Sequence, residues 1–459
     1  MFAWLLNLIY LALLAAFLPF RLVIRRKGTA GWRQKFLGQV PRREGNRPCL
    51  WLHAVSVGEV MQLQPVLEAL AGSRPDLELV ISTTTPTGFD VARKRYPGRT
   101  VFYFPFDFSW AVNAALSRIN PTVIALVELE LWPNFVLAAA NRRIPLALVN
   151  GRISERSYKG YRRIYPVICS MLRRIDVLAV QSEAYAHRLI DLGADPACVH
   201  ITGSIKFDGV ETNRANPRTA ELRQFFGLRQ DETVFIAGST QDPEERFAVE
   251  SYLSLRTKHP RLRLILVPRH KERFDEVAQL IERAFQLPLL RRSSVKTSPC
   301  LPVSLSPCLA STAESTRNRT RESPHQEIPP ILLLDTLGEL SACWGLASIA
   351  FVGGSLTQRG GQNMIEPAGY GAAVLFGPNT WNFKDVVELL LSHDAALVVR
   401  SGADLMARLD ELLSDPRRVA ALGNRSRDLV TAQRGATART VELLGRVLPA
   451  PELVFPRAA

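Results

Sequence analysis

Three short stretches place residue types able to do chemistry directly beside apolar runs. Residues 49–57 (CLWLHAVSV) lead through Ser56 and Gly58 to Glu59. Residues 121–128 (PTVIALVE) open Glu128-Leu129-Glu130-Leu131-Trp132-Pro133-Asn134, and Gly203-Ser204-Ile205-Lys206-Phe207-Asp208 follows a later run. A carboxylate just past a strand can take the proton of an attacking hydroxyl. It can also stand there because a helix N-terminus favours negative charge, and both readings fit Glu59. Ser56 and Gly58 make that turn tight and leave room for a ligand. Glu128 and Glu130 alternate, which puts two acids on one side of the chain. Pairing of Glu130 with an arginine and packing of Trp132 account for them without chemistry. Leaving two unpaired acids beside so apolar a strand is nonetheless costly. Lys206 suits a phosphate or a developing negative charge, and it suits plain solvent equally.

The second half of the chain offers phosphate chemistry. Pro268-Arg269-His270 ends an apolar run, and an arginine there can hold a phosphate bidentately. Leu337-Gly338-Glu339-Leu340 follows another run, and Gly353-Gly354-Ser355 ends a third. Gly360-Gly361-Gln362-Asn363-Met364-Ile365-Glu366-Pro367 comes next. Glycines ahead of a helix leave backbone N–H groups available to phosphate, and Glu366, a turn after Asn363, suits the hydroxyls of a ribose. GxGxxG is absent, which argues against an ordinary dinucleotide dehydrogenase.

These turns need rigid supports, and the apolar pattern supplies them. Runs at 49–57, 77–83, 121–128, 144–151 and 175–183 alternate with helical patterns, as do 233–240, 263–270, 329–336, 347–354, 372–378 and 395–402. Continuous apolar strands between helices imply parallel sheets covered on both faces. The expected organisation is a first α/β domain over 45–205, a polar linker over 206–230 and a second α/β domain over 231–425. A C-terminal helix and tail cover 426–459. Residues 293–327 break the rhythm with Ser, Pro, Thr and Arg and read as a disordered insertion.

Residues 1–20 are almost wholly apolar, Asn7 being the one strongly polar side chain; the expected anchor covers 1–21, and a basic neck follows over 22–44. A cleaved signal peptide has its charge before the apolar run. The reversed order here reads as an uncleaved membrane anchor, spanning the bilayer or lying in its interface, with the rest of the chain cytoplasmic. The formal net charge of +14 favours an anionic partner. With an anchor present, membrane lipid is that partner rather than nucleic acid. A basic stretch of Arg142, Arg143, Arg152, Arg156, Lys159, Arg162 and Arg163 suits lipid phosphates or bulk solvent. The six cysteines show neither CxxC nor Cys/His ligand spacing, consistent with reduced thiols and no zinc site.

HAVSVGE, ELELWPN, VNGRIS, GSIKFD, VPRHKERF, DTLGELS, FVGGS and GGQNMIEP, in that order, closely resemble the 3-deoxy-D-manno-octulosonic acid (Kdo) transferases of lipopolysaccharide synthesis. The resemblance runs from the N-terminal anchor to about residue 425. It implies a GT-B fold, two Rossmann-like domains facing an interdomain cleft. It also implies CMP-Kdo as donor, a lipid A precursor (lipid IVA) as acceptor, inversion at the anomeric carbon, and neither cofactor nor catalytic metal. Carried over by motif, Glu59 is the proton acceptor, with Ser56 and Gly58 on the acceptor side, and Glu130 and Lys206 stabilise the transition state. CMP contacts fall on Pro268, Arg269, Leu337, Gly338, Glu339, Asn363, Met364, Ile365 and Glu366. The expected location is the cytoplasmic face of the cell inner membrane. The rival readings are a GT-B transferase using a UDP-sugar and a polyprenyl lipid, and a non-catalytic membrane-bound binding protein.

Overall fold

A computed structural model describes residues 4, 6–12, 30–294 and 328–451. The chain forms two compact units, one of residues up to Gly209 together with those from Gln433, the other Val210–Ala432. The first unit contains β1 (Cys49–His53), β2 (Glu78–Thr83), β3 (Thr100–Tyr103), β4 (Val123–Val127), β5 (Leu146–Gly151), β6 (Val177–Val180) and β7 (Val199–Ile201). They form one parallel sheet in the order β3-β2-β1-β4-β5-β6-β7. β1 is central: Trp51 lies opposite Val80 on one side and Ile124 on the other.

The lack of polar alternation in these strands follows from burial on both faces. On one face Trp51, Phe102, Phe104 and Phe135 pack with Val112 and Leu148. On the other, Leu50, Leu52, Val66 and Leu67 pack with Leu443 and Leu444. The last two belong to the helix Ala436–Val447, so the end of the chain returns to the first unit's core. Asp208 fastens that return by accepting the N–H groups of Gly435, at 2.7 Å, and of Thr437. This carboxylate at the helix start replaces the side-chain cap that Gly435 lacks.

The second unit repeats the plan with β8 (Thr233–Thr240), β9 (Leu262–Pro268), β10 (Leu289–Arg291), β11 (Ile331–Leu333), β12 (Ile349–Val352), β13 (Ala373–Phe376) and β14 (Ala396–Val398). All are parallel, in the order β10-β11-β9-β8-β12-β13-β14. The stretch 206–230 holds a helix, Pro217–Phe225, that buries Thr219 and Leu222 within this unit. A long helix, Pro416–Ala432, crosses residue 425 and also belongs here.

The apolar run 1–21 lies outside the described residues except for residues 4 and 6–12, and the 293–327 insertion except for Ser293 and Ser294. Among the described residues no helix is long and apolar enough to cross a membrane. Cys49, Cys169, Cys198 and Cys343 are free thiols.

Candidate active site

In each sheet the strand order reverses beside its central strand, between β1 and β4 and again between β8 and β12. Open α/β sheets bind ligands at the carboxyl ends of strands at such points. In the first unit this is where the acids meet. Ser56 caps the helix Val57–Gln62, its Oγ accepting the Glu59 N–H. Glu59 reaches back: its Oε1 accepts the Ser56 hydroxyl at 2.8 Å and its Oε2 the Val55 N–H at 2.8 Å. This is a capping box, one turn wide, and it holds the carboxylate in a single place. Burial pushes the Glu59 pKa up, those hydrogen bonds pull it back, and the charge of Glu128 raises it again.

β4 delivers the other two acids, by a turn and not by the strand pleat expected from their alternation. Glu128 has left-handed backbone, φ 60°, which ends the strand. Its N–H still reaches the Val149 carbonyl at 3.0 Å, and its carboxylate lies 3.4 Å from Arg152. Two residues on, Glu130 accepts the Trp132 indole N–H at 3.0 Å. Burial, and next the charge of Glu59, push its pKa up to about 7. Like charges in one cluster oppose each other's ionisation. His53, by contrast, is no base. It is fully buried, stacked on Phe104 at 3.7 Å, and burial holds its pKa down at about 3.

Lys206 sits in the single turn Ile205–Phe207, half-buried. Asn150, inside the VNGRIS motif but given no role from sequence, connects it to the acids. Its side-chain N–H donates to Gln62 Oε1 at 2.8 Å, on the helix of Glu59, and its Oδ1 accepts the Ile205 N–H at 3.2 Å, next to Lys206. Its carbonyl accepts the Gln181 amide at 2.9 Å. Asn150 is fully buried with φ 53°, a backbone asparagine tolerates better than most residues. The asparagine type at a strand end was the available signal.

In the second unit Pro268 ends β9, and Arg269 donates its N–H to the Thr240 carbonyl at 3.0 Å while its side chain is exposed. Leu337 is exposed and Gly338 takes φ 87°, a bend open to glycine. Glu339 is held by Arg292 at 2.8 Å, which also pairs with Glu221 at 2.6 Å and lies over the Phe225 ring at 4.7 Å. The neighbouring Arg291 pairs with Asp335 at 2.7 Å. Neither arginine stood out in sequence, because each borders the Ser/Pro-rich insertion. Asn363 braces the last loop, giving its side-chain N–H to Glu366 at 2.9 Å and accepting the Ile365 N–H at 3.0 Å. Met364 and Ile365 are buried, and burial raises the Glu366 pKa against the pull of Asn363 and Ser341.

The N–H groups following Gly353 are taken up by the chain itself. Glu244, fully buried, accepts N–H groups from Gly354 at 2.7 Å, Ser355 at 3.1 Å, Leu356 at 2.9 Å and Gln241 at 2.9 Å. A Cβ on Gly353 would stand 2.8 Å from that carboxylate and 2.6 Å from the Thr240 Cα, so glycine is required for the approach.

Similarity to known proteins agrees with this layout. A family model described as 3-deoxy-D-manno-octulosonic-acid transferase (kdotransferase) matches residues 30–209. A 3-deoxy-D-manno-octulosonic acid transferase of Haemophilus influenzae is 32% identical over 412 residues, covering 87% of this chain and 88% of that one. Another, of Bordetella pertussis, is 31% identical over 410 residues, covering 86% of each. Among solved structures, UDP-GlcNAc 2-epimerase from Neisseria meningitidis bound to UDP-GlcNAc matches with a TM-score of 0.55 at 13% identity, covering 87% of this chain and 100% of that one. The last likeness shows the fold alone.

Proposed function

The chain belongs to the 3-deoxy-D-manno-octulosonic acid (Kdo) transferase family and is a glycosyltransferase adding Kdo in lipopolysaccharide core biosynthesis; from that premise we propose the donor, the acceptor and the division of labour between its residues. The donor is CMP-Kdo and the acceptor a hydroxyl of a lipid A precursor, lipid IVA. Glu59 takes the proton as the acceptor oxygen attacks the anomeric carbon. The bond from that carbon to the CMP phosphate breaks on the opposite face, its electron pair leaves with CMP, and the configuration inverts. The observation carrying this reading is the Glu59 carboxylate, fixed by Ser56 and Val55 and crowded by two further acids, at the strand-order reversal. Crowding and burial raise its proton affinity, which a base for a weakly acidic hydroxyl needs. Ser56 and Gly58 shape the acceptor side, and Glu130 and Lys206 stabilise the transition state.

CMP contacts are assigned to Pro268, Arg269, Leu337–Glu339 and Asn363–Glu366, loops whose acids are already braced by Arg292 and Asn363. Fixed N–H donors and cations suit an anionic leaving group. The protein works at the cytoplasmic face of the inner membrane, its apolar N-terminal run in contact with lipid. The test supplies purified full-length enzyme and lipid IVA in micelles with either CMP-Kdo or UDP-sugars. A product heavier by one or more Kdo residues, from CMP-Kdo alone, is expected. Transfer from a UDP-sugar in its place refutes the donor assignment.

A further inference from the structure

Asn7, the one strongly polar side chain of the apolar run, is only 2% exposed. Its amide donates to Ser109 Oγ at 2.7 Å, and its Oδ1 accepts the Ser109 N–H at 3.0 Å and the Asn134 side-chain N–H at 3.3 Å. One helical turn on, Tyr10 donates its hydroxyl to Asp107 at 2.9 Å and meets the Phe108 ring edge-on at 6.0 Å. Around these two, Trp4, Leu8, Ile9 and Leu11 are all exposed.

What Asn7 and Tyr10 grip matters more than the grip itself. The helix Pro133–Asn141 begins just after Glu130 and has no side-chain cap of its own. Asp107 supplies one from another loop, accepting the N–H groups of Asn134 at 3.0 Å and Phe135 at 2.8 Å. The Asn134 side chain adds a bond to the Asp107 carbonyl at 2.5 Å. Asn7 adds one further bond to Asn134 and Tyr10 one to Asp107. Hydrogen-bonded groups this buried move together, because each partner left alone is costly.

We propose that residues 7–10 are a latch that fixes the turn bearing Glu130, with Asn7 as a positioning residue for the transfer reaction. The N-terminal segment is then part of the acceptor-side site as well as a means of attachment. This rests on the reading that Glu130 serves the reaction.

Asn7→Leu separates the two roles, since it makes the segment more apolar while removing the latch. In the full-length protein, salt-resistant membrane retention is expected to persist and CMP binding to stay within about twofold. The rate at saturating substrates is expected to fall about tenfold or more. The pH profile is expected to shift with Glu130's altered surroundings. Ser109→Ala removes the same contact from the other side, so the double variant should lose no more than Asn7→Leu alone. Full turnover in Asn7→Leu overturns the latch, as does a loss of CMP binding that parallels the loss of rate, which marks general unfolding. Glu130→Gln, assayed alongside, keeps the two ideas apart. An active Asn7→Leu beside an impaired Glu130→Gln sinks the latch alone, whereas an unimpaired Glu130→Gln sinks both.

Discussion

Glu59 and Glu244 occupy matching places, each in the first turns after the strand that enters its own sheet first in the chain and each beside the reversal of strand order. Their surroundings differ sharply. Glu244 is fully buried and receives four backbone N–H groups. Glu59 is half-buried, receives one N–H and one hydroxyl, and stands near the charges of Glu128 and Glu130. A carboxylate with four donors has no capacity left for a substrate, although burial still raises the Glu244 pKa against the pull of those N–H groups. One with two donors and like-charged neighbours gains by accepting a proton. The same residue type at the same topological place is therefore fully occupied in one unit, while in the other it is the carboxylate proposed as the base.

The largest effect on fold is expected at Glu244. Glu244→Ala leaves four buried N–H groups without their acceptor, which costs about 3 kcal/mol or more. For a unit of this size that is roughly 6–12 °C of melting temperature, with CMP binding weakened in step. Calorimetry on the variant checks this, and an unchanged melting point would erase the contrast with Glu59.

A smaller effect separates Glu130 from its neighbour. Glu130→Gln replaces the acid whose carboxyl burial and the Glu59 charge push up to about 7, so any step in the rate profile near that pH that belongs to Glu130 should disappear. Stability should respond in a defined direction as well. Glu130's folded pKa, about 7, lies above its unfolded value, so its stabilising contribution is complete below the unfolded pKa and is lost as pH rises through the folded one. Wild-type melting temperature should therefore decline between about pH 5 and 7 more steeply than that of Glu130→Gln. Parallel curves would show that the acids are not coupled.

Most of the positioning framework was legible in the sequence, because strands buried on both faces write themselves as unbroken apolar runs. The strands that escaped, β3, β7 and β10, are all sheet edges. β7 and β10 have no fully buried residue and β3 only two, so little of them carries the core signal. The acids of the candidate site were visible because glutamate directly after VIALV or ahead of a helix is conspicuous. Asn150, Arg291 and Arg292 were not, since their roles depend on partners far along the chain: Ile205 for the first, Asp335 and Glu339 for the others. The partner of the nest at Gly354 was hidden for the same reason. Glycines announce free N–H groups, and only the fold shows that Glu244, 110 residues earlier, has taken them.

The division between a chemical first unit and a binding second unit is tested most directly by Glu59→Gln, which preserves size and hydrogen bonding but removes basicity. Initial transfer rate, CMP affinity and melting temperature are measured on one preparation. The rate is expected to fall ~10²–10⁴-fold, as for loss of a positioned general base, with CMP affinity within about twofold of wild type. Were Glu59 only the closing residue of its capping box, the variant would lose about 1 kcal/mol of stability and keep its turnover. Near-normal transfer by Glu59→Gln contradicts the assignment.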